Sequence, residues 1–229
     1  MARLGSKARA LLITVLMAAA VGGGWAIGAS SDMDEMESHD TGAPASAAED
    51  DRDVERGFLQ AMVPHHESGI EMAQMALEHS QAPVIRRLSQ AIVDTQAREI
   101  EQMRKMHERL FGEPLEPDGD AHMALGLSAE EAGMAGMSHG GEMMRKLADA
   151  KPFDRAYVDD MVPHHQGAVA MAEVLLERTD DAELKRLAQA IIDAQRREIA
   201  TMNDFRTKEY GGPVPEKPGD GGHGGMKME

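Results

Sequence analysis

The sequence predicts an all-α chain: a four-helix bundle made of two duplicated helical hairpins, with an additional helical connector. Three observations carry this. Apolar residues recur at i, i+3, i+4 and i+7 over long stretches, the period of helices with one buried face. Residues 58–103 align with residues 157–202 at a constant offset of 99 without a gap, and 20 of the 46 positions are identical, the mark of a duplicated unit. Aromatic residues make up only 3% of the chain while Met alone numbers 19, so the core is aliphatic and thioether-rich, unlike that of a sandwich or barrel. A lone helical hairpin buries little surface, and two of them close into a bundle.

The elements follow in order. Residues 1–29 open with Arg3, Lys7 and Arg9 and continue as an apolar or small run, which fits a signal peptide. The run is also long enough for a membrane span of about 20 residues, so an uncleaved N-terminal membrane anchor is equally open. Both outcomes export the rest of the chain. Residues 30–50 carry acids with Met33, Met36 and His39 and no hydrophobic period, and are expected to be a disordered linker. The first hairpin occupies 51–111, with a break near 80–83, and the second 151–210, with a break near 179–181. Between them the connector, 112–150, contains Pro114 and Pro117. It also contains Ser128-Ala129-Glu130-Glu131, a capping residue followed by acids at a helix start, and a helical stretch over 143–150. The Gly-rich end, 211–229, with His223, Met226 and Met228, is expected to be a disordered tail.

The repeated positions are the informative ones. On the first helix of the first unit, Met62, His65 or His66, Gly69, Met72 and Ala76 share a face, and the copy presents Met161, His164 or His165, Ala168, Met171 and Leu175. On the second helix, Leu88, Ile92, Gln96, Glu99 and Met103 form a stripe matched by Leu187, Ile191, Gln195, Glu198 and Met202. A Gln and a Glu thus sit where apolar residues belong, and the facing His rings are the natural partners for them. Pro64 and Pro163 remove a backbone donor, freeing the carbonyls of Gln60 and Asp159 beside each His pair. The bland reading is a buried His-Glu-Gln network that fixes bundle geometry. The sharper one is metal binding, because thioether with imidazole suits Cu(I), and imidazole suits Cu(II) and Zn.

Composition narrows the alternatives. A formal charge of -16 repels phosphate backbones, so nucleic acid is excluded as a partner. The absence of cysteine removes disulfides, thiolate sites and Cys nucleophiles, leaving Met and His to hold a soft metal. No His has a Glu three residues before it, as a ferritin-type di-iron centre requires, and His66-Glu67 is not followed by the second His of a zincin. The chain is therefore not expected to be an enzyme.

The repeated Met-Val-Pro-His-His-(Glu or Gln)-x-(Gly or Ala)-x-x-Met-Ala, with a downstream Gln-x-x-Glu-Ile-x-x-Met, resembles the signature of the bacterial family called domain of unknown function 305. The resemblance covers about residues 50–210. It implies a ferritin-like fold and kinship with periplasmic copper-binding proteins of the CopM type. Carried over residue by residue, it implicates Met62, His65, His66, Met72, Met161, His164, His165 and Met171 as metal ligands. Gln96, Glu99, Gln195 and Glu198 stand behind them as orienting groups. The two halves differ where the family carries an aromatic residue after the downstream Met: the second copy has Phe205 and the first Met106. The Met and His residues between and around the repeats (Met33, Met36, His39, His122, Met123, Met134, Met137, His139, His223, Met226 and Met228) are expected to add weak capture from loose segments. The function so expected is copper or silver binding outside the cytoplasm. The rivals are a metal-free structural or partner-binding bundle and, behind it, a copper oxidoreductase.

Overall fold

The structure, a computed structural model, describes residues 45–135 and 140–215. Over this range the chain forms α1 (Ala45–His79), α2 (Pro83–Phe111), a 3-10 helix (Gly119–Leu125), α3 (Gly140–Asp149), α4 (Phe153–Arg178) and α5 (Ala182–Tyr210). No strand occurs among the described residues. The helices α1 and α2 form one hairpin and α4 and α5 the other, and the hairpins join through α1 against α4, with α2 touching α5 only lightly.

Local chemistry sets the boundaries. Pro83 lies in the first turn of α2, where its missing N–H costs nothing. Asp181 caps α5 by accepting from the backbone N–H groups of Glu183 and Leu184, both at 2.9 Å. Both hairpins end on a glycine at the same position of the repeat, Gly112 (φ 74°) and Gly211 (φ 86°), whose left-handed backbone turns the chain off the helix.

The core divides into two apolar clusters, one towards each end of the bundle. The first gathers Phe58, Met62, Met103, Met134, Met171, Leu187 and Ile191, and the second Met72, Ile92, Met161, Tyr157 and Met202, with their neighbours. Each cluster takes the N-terminal half of one repeat's first helix and the C-terminal half of the other's. Between them lies a buried polar layer of His65, His66, His164, His165, Gln96, Gln195 and Glu99, with the half-buried Glu198 at its edge. Even the apolar ends follow the cross-pairing: Tyr157 accepts from the Ser89 hydroxyl at 3.0 Å. At the matching positions of the other cluster stand Phe58 and Ala188, neither of which carries a hydroxyl.

Four expectations are corrected. First, α1 begins at Ala45, inside the segment expected to be disordered, and the end of that segment is tied to the second hairpin, where Arg178 pairs with Asp50 and Asp51 at 2.5 and 2.6 Å. Second, residues 211–215 are tied down. Arg206, ion-paired with Asp159 at 2.5 Å, donates to the carbonyls of Gly212 and Pro213, and Val214 N–H donates to Asn203. Third, the connector is not loose between Gly112 and residue 135. His122 and Met134 are buried in it, Asp118 N–H donates to the Gln60 carbonyl that Pro64 frees, and only Met123 stands out, 67% exposed. Fourth, Ser128 opens a single turn rather than a helix. The Ser128 and Glu131 side chains bond each other and each other's backbone N–H, but Gly133 (φ 66°) closes the turn with Gly133 N–H to Glu130 O and Met134 N–H to Ala129 O. The remaining sequence expectations on residues 1–44, on Met137 and His139, and on His223, Met226 and Met228 lie outside the described residues.

Candidate metal centre

Where α1 crosses α4, the two repeats present the same residues to each other. The His65 and His164 rings lie 3.8 Å apart centre to centre, tilted by 35°, while His66 and His165 turn away from this contact towards their own hairpins. There His66 Nε2 donates to Glu99 at 2.9 Å and His165 Nε2 donates to Glu198 at 2.8 Å. His164 Nε2 donates to the backbone carbonyl of His65 at 3.1 Å. The open choice within each adjacent pair is thereby resolved: His66 and His165 face the carboxylates, and His65 and His164 face each other.

These bonds fix the protons. A carboxylate or a carbonyl only accepts, so each of these three rings carries a proton on Nε2, and in the neutral tautomer so selected the lone pair is on Nδ1. The Nδ1 atoms of His66, His164 and His165 are buried without a partner, and both ring nitrogens of His65 are likewise unpartnered. Burial holds the His65 and His164 imidazoles well below their ordinary pKa of 6.5, and the neighbouring His rings push in the same direction. Neutral imidazoles with free lone pairs are ligand-competent without the loss of a proton.

The candidate thioethers, which the sequence did not group, fall into the two apolar clusters. Met62 and Met72 are ten residues apart, about 15 Å along α1, and fall into opposite clusters. Met62 lies with Met171 of the other repeat and with Met103, and Met161 lies with Met72 and Met202. All six are buried, three to each cluster, and the first cluster adds Met134 of the connector as a fourth buried thioether. Among the described residues, no three His, Asp or Glu side chains gather around one point as a ligand set.

Gln96 and Gln195 complete the layer. They are buried, and neither the amide oxygen nor the nitrogen of either has a partner. Gln96 lies against α1 at Gly69, where a Cβ would fall 2.6 Å from its Oε1 and 3.1 Å from the His164 ring. An unsatisfied buried amide costs about 1–3 kcal/mol, so Gln96→Leu and Gln195→Leu are each expected to stabilise the metal-free protein by about 1–2 kcal/mol. A rise in the urea midpoint at constant m-value measures this, and a fall would show that the amides are satisfied.

Sequence reasoning missed the connector's part in the site. The turn 128–134 lies directly on α4 at Gly167, with Gly133 beside His65. The signal was the Gly at 167 where the first copy has Ser68, visible only when the copies are compared position by position.

The profile of the family described as Domain of unknown function (DUF305) matches residues 23–107 and 55–206. Among solved structures, CopM in its Cu(I)-bound form is 31% identical over 69% of this chain and 98% of that one, with a TM-score of 0.56. CopM is also known in Ag-bound, Cu(II)-bound and apo forms. A DUF305 protein from Streptomyces coelicolor is 28% identical over 71% of this chain and 97% of that one, with a TM-score of 0.61. A DUF305 fragment from Deinococcus radiodurans is 32% identical over 68% and 96%, with a TM-score of 0.56. Among curated proteins, the uncharacterized protein L153 of Acanthamoeba polyphaga mimivirus is 42% identical over 52 residues, which is 23% of this chain and 34% of that protein. The chain thus spans about a third of the length of that relative.

Proposed function

The chain belongs to the family described as Domain of unknown function (DUF305), and from that premise we propose that it is an exported protein that binds and sequesters soft metal ions, Cu(I) and Ag(I) foremost. The observation that carries the proposal is the buried layer of unpartnered imidazole nitrogens, flanked on each side by an apolar cluster that holds three buried thioethers of the repeats. Imidazole and thioether are the donors a soft, low-coordinate ion takes when thiolates are absent. The likeness to CopM in silver- and copper-bound forms supports the same reading.

In this reading, His65 and His164 supply ligands at the crossing of the repeats, and Met62, Met72, Met161 and Met171 flank them with His66 and His165. Glu99 and Glu198 hold the rings of His66 and His165 in the tautomer that leaves Nδ1 free. The ion is cargo, and the residues bind it without chemical change. Export rests on the basic and apolar N-terminal segment; among the described residues no helix is long and apolar enough to cross a membrane.

The second reading, a metal-free structural bundle, is favoured by the lack of a three-residue His or carboxylate cluster among the described residues. Titration of the full chain with Cu(I) and with Ag(I) against a chromophoric chelator decides between them. Stoichiometric withdrawal of metal from the chelator is expected. Full retention by the chelator at every protein concentration would leave the structural reading.

A further inference from the structure

The His layer is closed off by the connector as well as by the four long helices. Residues 128–131 are exposed, whereas Ala132 and Met134 of the same turn are buried, so the turn is a thin cover with one face in water and the other on the site. Its seat is Gly167 of α4: a Cβ there would lie 2.2 Å from Ala132 C and from Gly133 N, backbone atoms that cannot rotate away. Gly133 in turn has no side chain to collide with what it covers. A Cβ on it would lie 2.8 Å from the His164 carbonyl oxygen and 3.1 Å from His65 Nε2. That nitrogen is buried and unpartnered, so the turn excludes water from it without bonding to it. Two missing side chains, on facing elements, thus allow the cover to close directly over His65.

We infer that the turn 128–134 is a gate over His65, seated on Gly167 and latched by Ser128 and Glu131, whose opening admits small solutes to the His layer. The latch is local: Ser128 and Glu131 form the capping pair that holds the turn wound, and both are exposed. The gate therefore opens by unwinding one turn, without parting the four long helices. Local openings of this kind cost far less than global unfolding. The inference rests on the proposed metal binding only for the identity of what passes the gate.

The test is the site-resolved reaction of the metal-free full chain with diethyl pyrocarbonate, which acylates accessible neutral imidazoles, read by tandem mass spectrometry. Exposed His79 serves as the internal reference. Gly167→Ala should unseat the turn while leaving α4 helical, since Ala favours a helix over Gly by about 1 kcal/mol. Ser128→Ala with Glu131→Ala should loosen the turn without touching α4. In the wild type, His65 should react far more slowly than His79, and both variants should accelerate it about tenfold or more with unchanged circular dichroism. Ser68→Ala, at the matching position of α1, should not. Wild-type His65 reacting as fast as His79, or no acceleration in either variant, would overturn the gate. Ag(I) loading of the same proteins separates the two claims: faster acylation with no silver bound by any of them keeps the gate and removes the metal reading.

Discussion

Replacing His65 and His164 together with Leu is expected to weaken Cu(I) and Ag(I) binding at least a thousandfold, about 4 kcal/mol, while the helix content stays intact. Leu fills most of the volume of an imidazole and removes every donor at the crossing of α1 and α4. The substitution is therefore close to neutral for packing and severe for ligation. The rest of the layer cannot replace the loss at the same point, because His66 and His165 are each turned towards a carboxylate of their own hairpin. The measurement is the same chelator competition, run beside a truncation lacking residues 30–44 and 216–229, which leaves α1 and the Arg206-held end of the bundle in place. The truncation should lower the stoichiometry and keep the tightest affinity, since ligands already fixed on packed helices lose little conformational freedom on binding. If the truncation removes the tight site and the Leu variant keeps it, the bundle is a scaffold and the ligands lie in the flanking segments.

That experiment probes a site only half of which was legible in the sequence. Spacing alone put Gln96 and Glu99 on the buried stripe of α2 and required a His partner for each. The His66–Glu99 and His165–Glu198 bonds meet that requirement for the carboxylates because i, i+3 and i+4 geometry is local, whereas Gln96 and Gln195 find no His partner. The breaks between helices were legible for the same reason, since Pro83 and Asp181 act within one turn of themselves. The grouping of the Met residues was not. Whether Met62 lies with Met72 or with Met171 depends on how two copies of one motif pack antiparallel, and identical copies give periodicity no means of choosing. The differences between the copies held that information: the hydroxyl of Tyr157 beside Ser89, set against Phe58 and Ala188, reports the cross-pairing in two substitutions. The connector misled for a different reason. Its Gly, Pro and acidic residues read as loose chain, yet they build caps and turns, and apolar side chains among them, Leu115, Leu125 and Met134, are buried against the bundle. His122 and Met134 are buried rather than free in a loose segment, and a composition count cannot tell a Met on a packed element from one in loose chain.

The same buried layer makes the metal-free protein acid-sensitive, and its stability is expected to fall steeply as the pH drops below 6.5. In the unfolded chain His65 and His164 titrate at their ordinary value of 6.5, whereas in the folded protein burial, reinforced by the neighbouring His rings, holds both well below it. Between the two values the unfolded state takes up protons that the folded state refuses, so stability rises with pH across that window and is complete above it. Each group contributes a slope of up to about 1.4 kcal/mol per pH unit, and two together approach 3 kcal/mol per unit, a large share of the 5–15 kcal/mol that holds a typical domain. Asp160, whose carboxyl burial pushes up, acts in the opposite sense nearer the carboxylate range and cannot mask the effect close to neutrality. Urea unfolding at pH 7.5, 6.0 and 5.0 measures the slope, and the His65→Leu, His164→Leu protein supplies the control. The wild type should lose stability across these steps while the variant stays nearly flat. Parallel curves would mean that the two rings accept protons in the folded state, which would require the His layer to be open to water at neutral pH rather than closed beneath the connector turn.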